Sequence, residues 1–490
     1  MSLLSRELYS REEVRKLDEI ALKEFSIPGI ALMERAGERA FDILKQKWPE
    51  ARQLAIFCGV GNNGGDGYVL ARLALENNYK VVVYQLGDVS KIKGDALIAY
   101  NAAIKKGVAP ILWQNNPIVA DVIVDAILGT GLSAPLSGAW LEVVRQINSY
   151  KIPVLSLDIP TGLDANTGNP LGAAICSTIT ATFIGNKRGM FTGKARDYCG
   201  EIFFSSLDVP TEIYGLVNNS VMQLTVDGLQ DKLPVRKASA HKGNFGHVVV
   251  IGGAPSMGGA VRMAGEAALR AGAGLVSVIT HPSHAGYIAA VRPELICFGA
   301  DDDIVEVLEK VIAKKAVILL GPGLGQLPWS RKIFAAVLKT KLPMIIDADG
   351  LNLLAEYKEV CGNCILTPHP GEAARLLRTT VENIETDRFQ SLLSLREKFK
   401  STIVLKGAGT LVTYQSKIGV CCAGNAKMAT AGMGDILAGI IAGLLAQQLD
   451  HEDAAAAGVC LHAAAGDIVS KQSSCGIIAT DLLPYIRIFS

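Results

Sequence analysis

Apolar residues recur at helical spacing twice in the first fifty positions, at Val14, Leu17, Ile20 and Ala21 and then at Leu32, Ala36, Ala40, Phe41 and Leu44. That pattern predicts two amphipathic helices within 11–48. Beyond them, short β-rich runs at 54–60, 80–86, 121–128, 153–159 and 179–184 alternate with helix-length segments. Such alternation is the signature of a parallel sheet with crossover helices, so a doubly wound α/β domain is expected. Periodicity fails between 205 and 242, where Pro210, Asn218-Asn219, Pro234 and Arg236-Lys237 mark a linker. It resumes with runs at 248–252, 275–279, 316–320, 344–347, 402–405 and 411–414, and with helices from Gly259, Ser330, Glu372, Glu382, Gly434 and Asp453. The second half is again three-layered α/β. No repeat links the halves, so two fused domains are expected, at 1–215 and 225–490.

At 490 residues the chain exceeds what one hydrophobic core supports, in agreement with that division. Lys and Arg total 48 against 47 Asp and Glu, a formal charge of +1 that gives no reason to expect nucleic acid or an anionic membrane as partner. The apolar fraction of 49% is high, but no stretch reaches the ~18 residues that span a bilayer. The first residues lack a basic segment followed by an apolar one, so no signal peptide and a cytoplasmic location are expected. The 10 cysteines are scattered, often inside apolar runs, which suits a reducing compartment. Cys361 and Cys364 form a lone C-x-x-C that reads as packing before a strand rather than as zinc or redox chemistry.

Ligands bind beyond the carboxyl ends of the strands in such sheets. Three of those ends are polar and distinctive, at 59–67, 125–131 and 158–164, and converge on one cleft. Gly59-Val60-Gly61-Asn62-Asn63-Gly64 satisfies G-x-G-x-x-G after a strand. Asn62, Asn63 and Asp66 would crowd a pyrophosphate there, and the nearest acid after the second run is Asp88, both of which argue against an ordinary dehydrogenase. In the other half, Ala431-Gly432-Met433-Gly434-Asp435 opens a long apolar helix. Glycines at a helix N-terminus expose N–H groups and a positive dipole end to an anion, and Asp435 beside them can take a proton. Lys406-Gly407-Ala408-Gly409-Thr410 is a second phosphate-friendly turn, whereas a P-loop motif is absent.

Asn62-Asn63-Gly64-Gly65-Asp66-Gly67, Asp125-Ala126-Ile127-Leu128-Gly129-Thr130-Gly131 and Leu157-Asp158-Ile159-Pro160-Thr161-Gly162 make the N-terminal half similar to the YjeF N-terminal family, the NAD(P)H-hydrate epimerases of Rossmann-like fold. The resemblance implies that Asn62, Asn63, Gly64, Gly65 and Asp66, with Gly129, Thr130, Gly131, Leu132, Ser133, Ala134 and Pro135, contact the hydrated nucleotide. It also implies that Asp158 is the acid/base, and that Asn63, Asp125 and Thr161 give oxygen ligands to a potassium ion. The chemistry agrees: C6 of the hydrate bears a hydroxyl next to a ring nitrogen and inverts once proton transfers are assisted, and a hard cation prefers such oxygens. Simpler alternatives are an Asx turn at Asp158 and a helix cap at Asp125.

Gly321-Pro322-Gly323-Leu324-Gly325, Asp347-Ala348-Asp349-Gly350-Leu351-Asn352, Thr367-Pro368-His369-Pro370-Gly371-Glu372, Lys406 to Thr410 and Gly434-Asp435 make the C-terminal half resemble the YjeF C-terminal family, NAD(P)H-hydrate dehydratases of ribokinase-like fold. That resemblance implies that Ala260, Gly323, His369 and Asp435 contact the hydrate. Lys406, Gly407, Ala408, Gly409, Thr410 and Gly434 would hold a nucleotide, ADP in bacterial members, with Mg2+. Asp435 would take the substrate's hydroxyl proton, because esterifying a poor leaving group with phosphate makes elimination easy. Ala431 stands where many relatives carry glycine. Together the two resemblances imply a bifunctional repair enzyme that interconverts (R)- and (S)-NAD(P)H hydrate and dehydrates the (S) form, acting as a homo-oligomer. The alternative is a small-molecule kinase with a non-catalytic N-terminal binding module, since fold does not fix substrate.

Overall fold

The computed structural model describes residues 6–115, 117–234, 236–301, 303–312, 316–357 and 362–486. The chain divides into two compact units, Met1–Val221 and Met222–Ser490. Cys361 of the C-x-x-C lies outside the described residues, and Cys364 is buried as the first residue of a strand.

In the first unit the predicted helices form at Arg11–Lys23 and Gly29–Lys47, and they bury the residues the periodicity singled out. The first starts at a capping box: Ser10 Oγ accepts from the Glu13 N–H at 3.2 Å, and the Glu13 carboxylate accepts from the Ser10 N–H at 2.6 Å. All seven strands of the sheet run parallel, in the order Ile111–Leu112, Lys80–Gln85, Gln53–Cys58, Val122–Ala126, Val154–Leu157, Ile179–Phe183, Glu201–Ser205. The first and last were not legible in the sequence: one has two residues, and the other has only three apolar residues, none of them fully buried. Strand order reverses between Gln53–Cys58 and Val122–Ala126, so the segments after those two strands diverge and open a crevice at the carboxyl edge. The helix Asn62–Glu76 leaves that crevice and lies close on the sheet. A Cβ at Gly64 would overlap the Gly59 carbonyl, and one at Gly67 would come within 2.8 Å of Cys58 Sγ. These glycines therefore serve helix-to-strand contact, as their spacing after a strand requires.

In the second unit the parallel strands are ordered Ile296–Gly299, Leu275–Thr280, His247–Ile251, Ala316–Leu320, Met344–Ile346, Cys364–Leu366, Thr402–Leu405. Antiparallel Thr410–Tyr414 and Lys417–Cys421 continue the sheet. The helices Gly258–Arg270, Met433–Ala446 and His451–Gln472 supply most of the core, with Ile436, Ile440, Ile441, Ala264 and Ala455 fully buried. The chain between the two α/β regions is less bare than its failed periodicity suggests. It holds a short helix at Glu212–Gly215, a strand at Val221–Leu224 and a helical turn at Val226–Leu229, each shorter than the window in which periodicity can show.

Replacing Gly64 by Ala should destabilise the first unit by more than about 2 kcal/mol, because the clash is with backbone rather than a movable side chain. Thermal and urea melts of the full chain, with the transition of the second unit unchanged, check this.

Candidate active sites

In the first unit the crevice is a cavity of about 490 Å3 lined by Asn62, Asn63, Asp66, Gly129, Thr130, Gly131 and Asp158 from the strand ends, and by one face of the first helix. Asp158 follows the strand Val154–Leu157 in the left-handed region, at φ 66°, where a non-glycine residue is uncommon and costs of order 1 kcal/mol. Its N–H donates to the Ala181 carbonyl at 2.7 Å, and Oδ2 accepts from the Thr130 N–H at 3.3 Å. Its other oxygen pairs with Lys187, whose side chain is wholly buried and also donates to Thr182 Oγ1 at 2.9 Å and the Phe183 carbonyl at 3.0 Å. Gly129 is held against this carboxylate, since a Cβ there would lie 2.8 Å from Asp158 Oδ2. The Asx turn is thus not what Asp158 makes; its carboxylate faces a buried lysine and the cavity.

Asp66 and Asp18 share that lysine. Burial pushes the Asp66 carboxyl well above its usual range, with repulsion from Asp158 and Asp18 adding to the rise and Lys187 opposing it. For Asp18, desolvation outweighs the pull of Lys187 and lifts the carboxyl to about 7. One buried cation cannot hold three carboxylates charged.

Asp125 is fully buried within the strand Val122–Ala126 rather than at a helix cap. Its Oδ1 accepts from Thr161 Oγ1 at 2.7 Å, and Oδ2 from Ser156 Oγ at 2.7 Å and the Thr161 N–H at 2.9 Å. Thr161 Oγ1 also accepts from the Leu128 N–H at 2.9 Å. Asn63 is buried in the first turn of its helix, and neither its amide oxygen nor its nitrogen has a hydrogen-bond partner. An orphaned amide of that kind is the signature of a group awaiting a ligand. Gly64 and Gly65 are buried in the helix, Gly65 against Met33, and neither lines the cavity. Leu132, Ser133, Ala134 and Pro135 do not line it either. Arg11 Nη1 instead donates to the Leu132 carbonyl at 2.8 Å. Asp88 caps a single 3-10 turn, its Oδ1 accepting from the Ser90 N–H at 2.9 Å.

In the second unit strand order reverses between His247–Ile251 and Ala316–Leu320, and the segments after these strands bring Ala260 and Gly323 together: a Cβ at Gly323 would lie 3.2 Å from that of Ala260. Along the same edge, Asp347 is buried after its strand, accepting at Oδ1 from Thr367 Oγ1 at 2.8 Å and Lys406 Nζ at 2.7 Å. Lys406 also approaches Glu372 at 3.7 Å. Burial works against the Lys406 ammonium, but Asp347 and Glu372 outweigh it and its pKa is raised. The helix Met433–Ala446 starts at Gly432, which has φ 89° and no side-chain cap. Gly434 sits where a Cβ would meet Lys406 Nζ at 3.3 Å and Asp347 Oδ2 at 3.7 Å. Asp435, in the first turn, is pushed up to about 7 by burial and by Asp347, with Lys406 opposing. The result is a proton acceptor beside a lysine and a positive helix end.

His369 caps the helix Pro370–Leu377, accepting at Nδ1 from the Gly371 N–H at 3.0 Å, and the pKa of its half-exposed ring is lowered by burial, Lys406 and Arg375. The turn after Lys406 is braced from below by Arg388, which is 2% exposed and donates to the carbonyls of Leu405 at 3.3 Å and Lys406 at 3.2 Å. Gly407 stands at φ 142° against that guanidinium, and Thr410 Oγ1 donates to the Gly407 carbonyl at 2.9 Å. Sequence reasoning missed Lys187, Asp18 and Arg388 altogether and left Asp347 and Glu372 without a role. Lys187 sits in a region whose only earlier mark was the run before it. Arg388 pairs locally with Glu385 at 2.7 Å, but the carbonyls it braces are 17 and 18 residues away, which nothing local in the sequence marks.

Each unit therefore joins a carboxylate to a lysine, fully buried in the first and partly buried in the second, at the carboxyl edge of a parallel sheet, the layout of a small-molecule enzyme with two separate sites. The family model described as the YjeF-related protein N-terminus matches residues 29–189, and that described as NAD(P)H-hydrate dehydratase matches 248–487. The chain is 45% identical to the bifunctional NAD(P)H-hydrate repair enzyme of Coxiella burnetii over 98% of this chain and 99% of the relative. It is 40% identical to that of Escherichia coli over 97% and 92%. A ribokinase-like superfamily protein from Enterococcus faecalis superposes with a TM-score of 0.50 at 32% identity, over 55% of this chain and 95% of its own. The chain belongs to the bifunctional NAD(P)H-hydrate repair enzymes, with an epimerase domain followed by a dehydratase domain.

Replacing Lys187 by Met should destabilise the first unit by roughly 3 kcal/mol at pH 8, because it leaves the Asp158 carboxylate without its cation. The loss should shrink toward pH 5 as the surrounding carboxyls protonate, which urea melts at the two pH values would show.

Proposed function

We propose that Asp158 is the acid/base of the epimerase and Asp435 that of the dehydratase, so that the first domain interconverts (R)- and (S)-NAD(P)H hydrate and the second dehydrates the (S) form using ADP. The observation that carries this is the position of Asp435, in the first turn of an uncapped helix, near Lys406 and with a pKa near neutrality. There it can take the hydroxyl proton of the hydrate while the helix end and Lys406 meet the charge on the transferred phosphoryl group. Loss of that phosphate from C6, with loss of a proton from C5 to restore the double bond, then leaves the reduced nicotinamide, with AMP and phosphate as by-products. Lys406, Gly407, Ala408, Gly409, Thr410 and Gly434 form the nucleotide cradle, and Ala260, Gly323 and His369 the wall against the hydrate.

Potassium fits the first site. Asn63 offers a buried amide without partners, and Asp125 and Thr161 would add carboxylate and hydroxyl oxygens, an all-oxygen set suited to a hard cation. When bound it would order the strand ends that carry Gly129 and Asp158. Mg2+ would come with the nucleotide phosphates, keeping most of its waters. No described helix is long and apolar enough to cross a membrane. The resemblance to the family is what leads us to propose a cytoplasmic homo-oligomer.

A mixed hydrate preparation with ADP separates the two roles. The Asp158→Asn protein should still dehydrate the (S) form while its conversion of the (R) form falls by ~10²-fold or more. The Asp435→Asn protein should lose dehydration by a similar factor while the epimers still equilibrate. A stable phosphorylated product in place of NADH would favour the kinase reading and defeat this one.

The pH dependence follows from the sign of the Asp435 shift. The group must be ionised to accept a proton, so kcat for dehydration should fall as pH drops through about 7, as initial-rate measurements across pH 5.5–8.5 would record.

A further inference from the structure

The wall of the epimerase cavity formed by the first helix carries an acid with no role in the reading above. Val14, Arg15, Asp18, Glu19 and Leu22 line the cavity from Arg11–Lys23, positions that fall on one face of a helix. Of these, Asp18 is the one whose carboxyl lies within electrostatic reach of both Asp158 and Lys187. We propose that Asp18 is the second catalytic group of the epimerase, donating a proton to the C6 hydroxyl while Asp158 serves as base.

The chemistry requires two such groups. A hydroxyl on a carbon next to a ring nitrogen leaves as water when its oxygen receives a proton: the C6–O bond breaks as the nitrogen lone pair forms a double bond to C6. Water then adds to either face of C6, its proton goes to a carboxylate, and the pair returns to nitrogen. With Asp18 as donor and Asp158 as acceptor, Asp18 ends ionised and Asp158 protonated. Transfer of one proton from Asp158 to Asp18, through Lys187 or cavity water, restores the start. Atoms and electrons balance, and no further reactant is needed.

The surroundings supply the required difference in protonation. Asp158, in the same cavity wall, is paired with the buried Lys187. Asp18 is water-accessible at the cavity wall, yet the protein around it desolvates it enough to keep a proton near neutrality, its carboxyl lifted to about 7. The groups that face it are Lys187, Asp158, Asp66 and Tyr214 from other elements, and Arg15 and Glu19 from its own helix. Environments that drive two neighbouring carboxyls apart mark an acid and a base.

This inference rests on the cavity being the epimerase site, and the test separates the two claims. Conversion of the (R) hydrate above the protein-free background is measured in the full chain for Asp18→Asn, Asp18→Glu and Asp158→Asn, with dehydration of the (S) hydrate as the control for an intact protein. Asp18→Asn should lower epimerase kcat about 10²-fold, the range for a positioned general acid. Asp18→Glu should recover part of that loss. The wild-type rate should fall as pH rises through about 7, because the donor must be protonated, and this limb should vanish in Asp18→Asn. An Asp18→Asn rate within about threefold of wild type, or a slow rate with the limb unmoved, overturns the proposal. If Asp18→Asn does not fold, a wild-type rate that stays flat through pH 7, or an Asp18→Glu protein whose limb has not shifted, also overturns it. Full activity in Asp158→Asn would show that the cavity reading itself fails.

Discussion

A lysine ammonium removed from water and set against an aspartate at the carboxyl edge of a parallel sheet is the interaction on which both units depend. Lys187 meets Asp158 in one unit and Lys406 meets Asp347 in the other. Burying such a pair costs several kcal/mol of solvation per ion, recovered only where geometry and further hydrogen bonds are good. Both lysines satisfy that condition: Lys187 has three oxygen partners, and Lys406 lies between two carboxylates.

The pairs also decide the protonation of what surrounds them. Each lysine neutralises one carboxylate and leaves its neighbours short of positive charge. Asp66 and Asp18 rise in one unit, Glu372 and Asp435 in the other, burial being the first cause in every case. A site where an ion-paired carboxylate stands beside carboxyls of raised pKa can give and take protons near pH 7.

Backbone proximity is the second shared constraint. At Gly64 a helix meets the turn after a strand, at Gly67 it meets the sheet, and at Gly323 a turn meets a helix start, each too close for a side chain, while at Gly434 a Cβ would come within 3.3 Å of Lys406 Nζ. Strain gathers at the same edge: Asp158 at φ 66° directly follows Val154–Leu157, and Ala348 at φ 47° lies two residues past the end of Met344–Ile346. The packed sheet beneath holds these conformations in place.

The sequence by itself determined the alternation of helix and strand, the fusion of two α/β units, and the glycine and acidic motifs at strand ends, because period, turn chemistry and spacing are local properties. It also carried the family resemblance that the comparisons support. Short strands such as Ile111–Leu112 and Ile296–Gly299 escaped, as runs that brief have no period to detect. Only the tertiary structure decided which lysine meets which aspartate, that Arg388 braces the turn after Lys406, that Asp125 is bound by Thr161 rather than capping a helix, and that Asp18 on the first helix faces Asp158. Those are choices among residues 17 to 140 positions apart along the chain, and electrostatics and packing make them only once the sheets have closed.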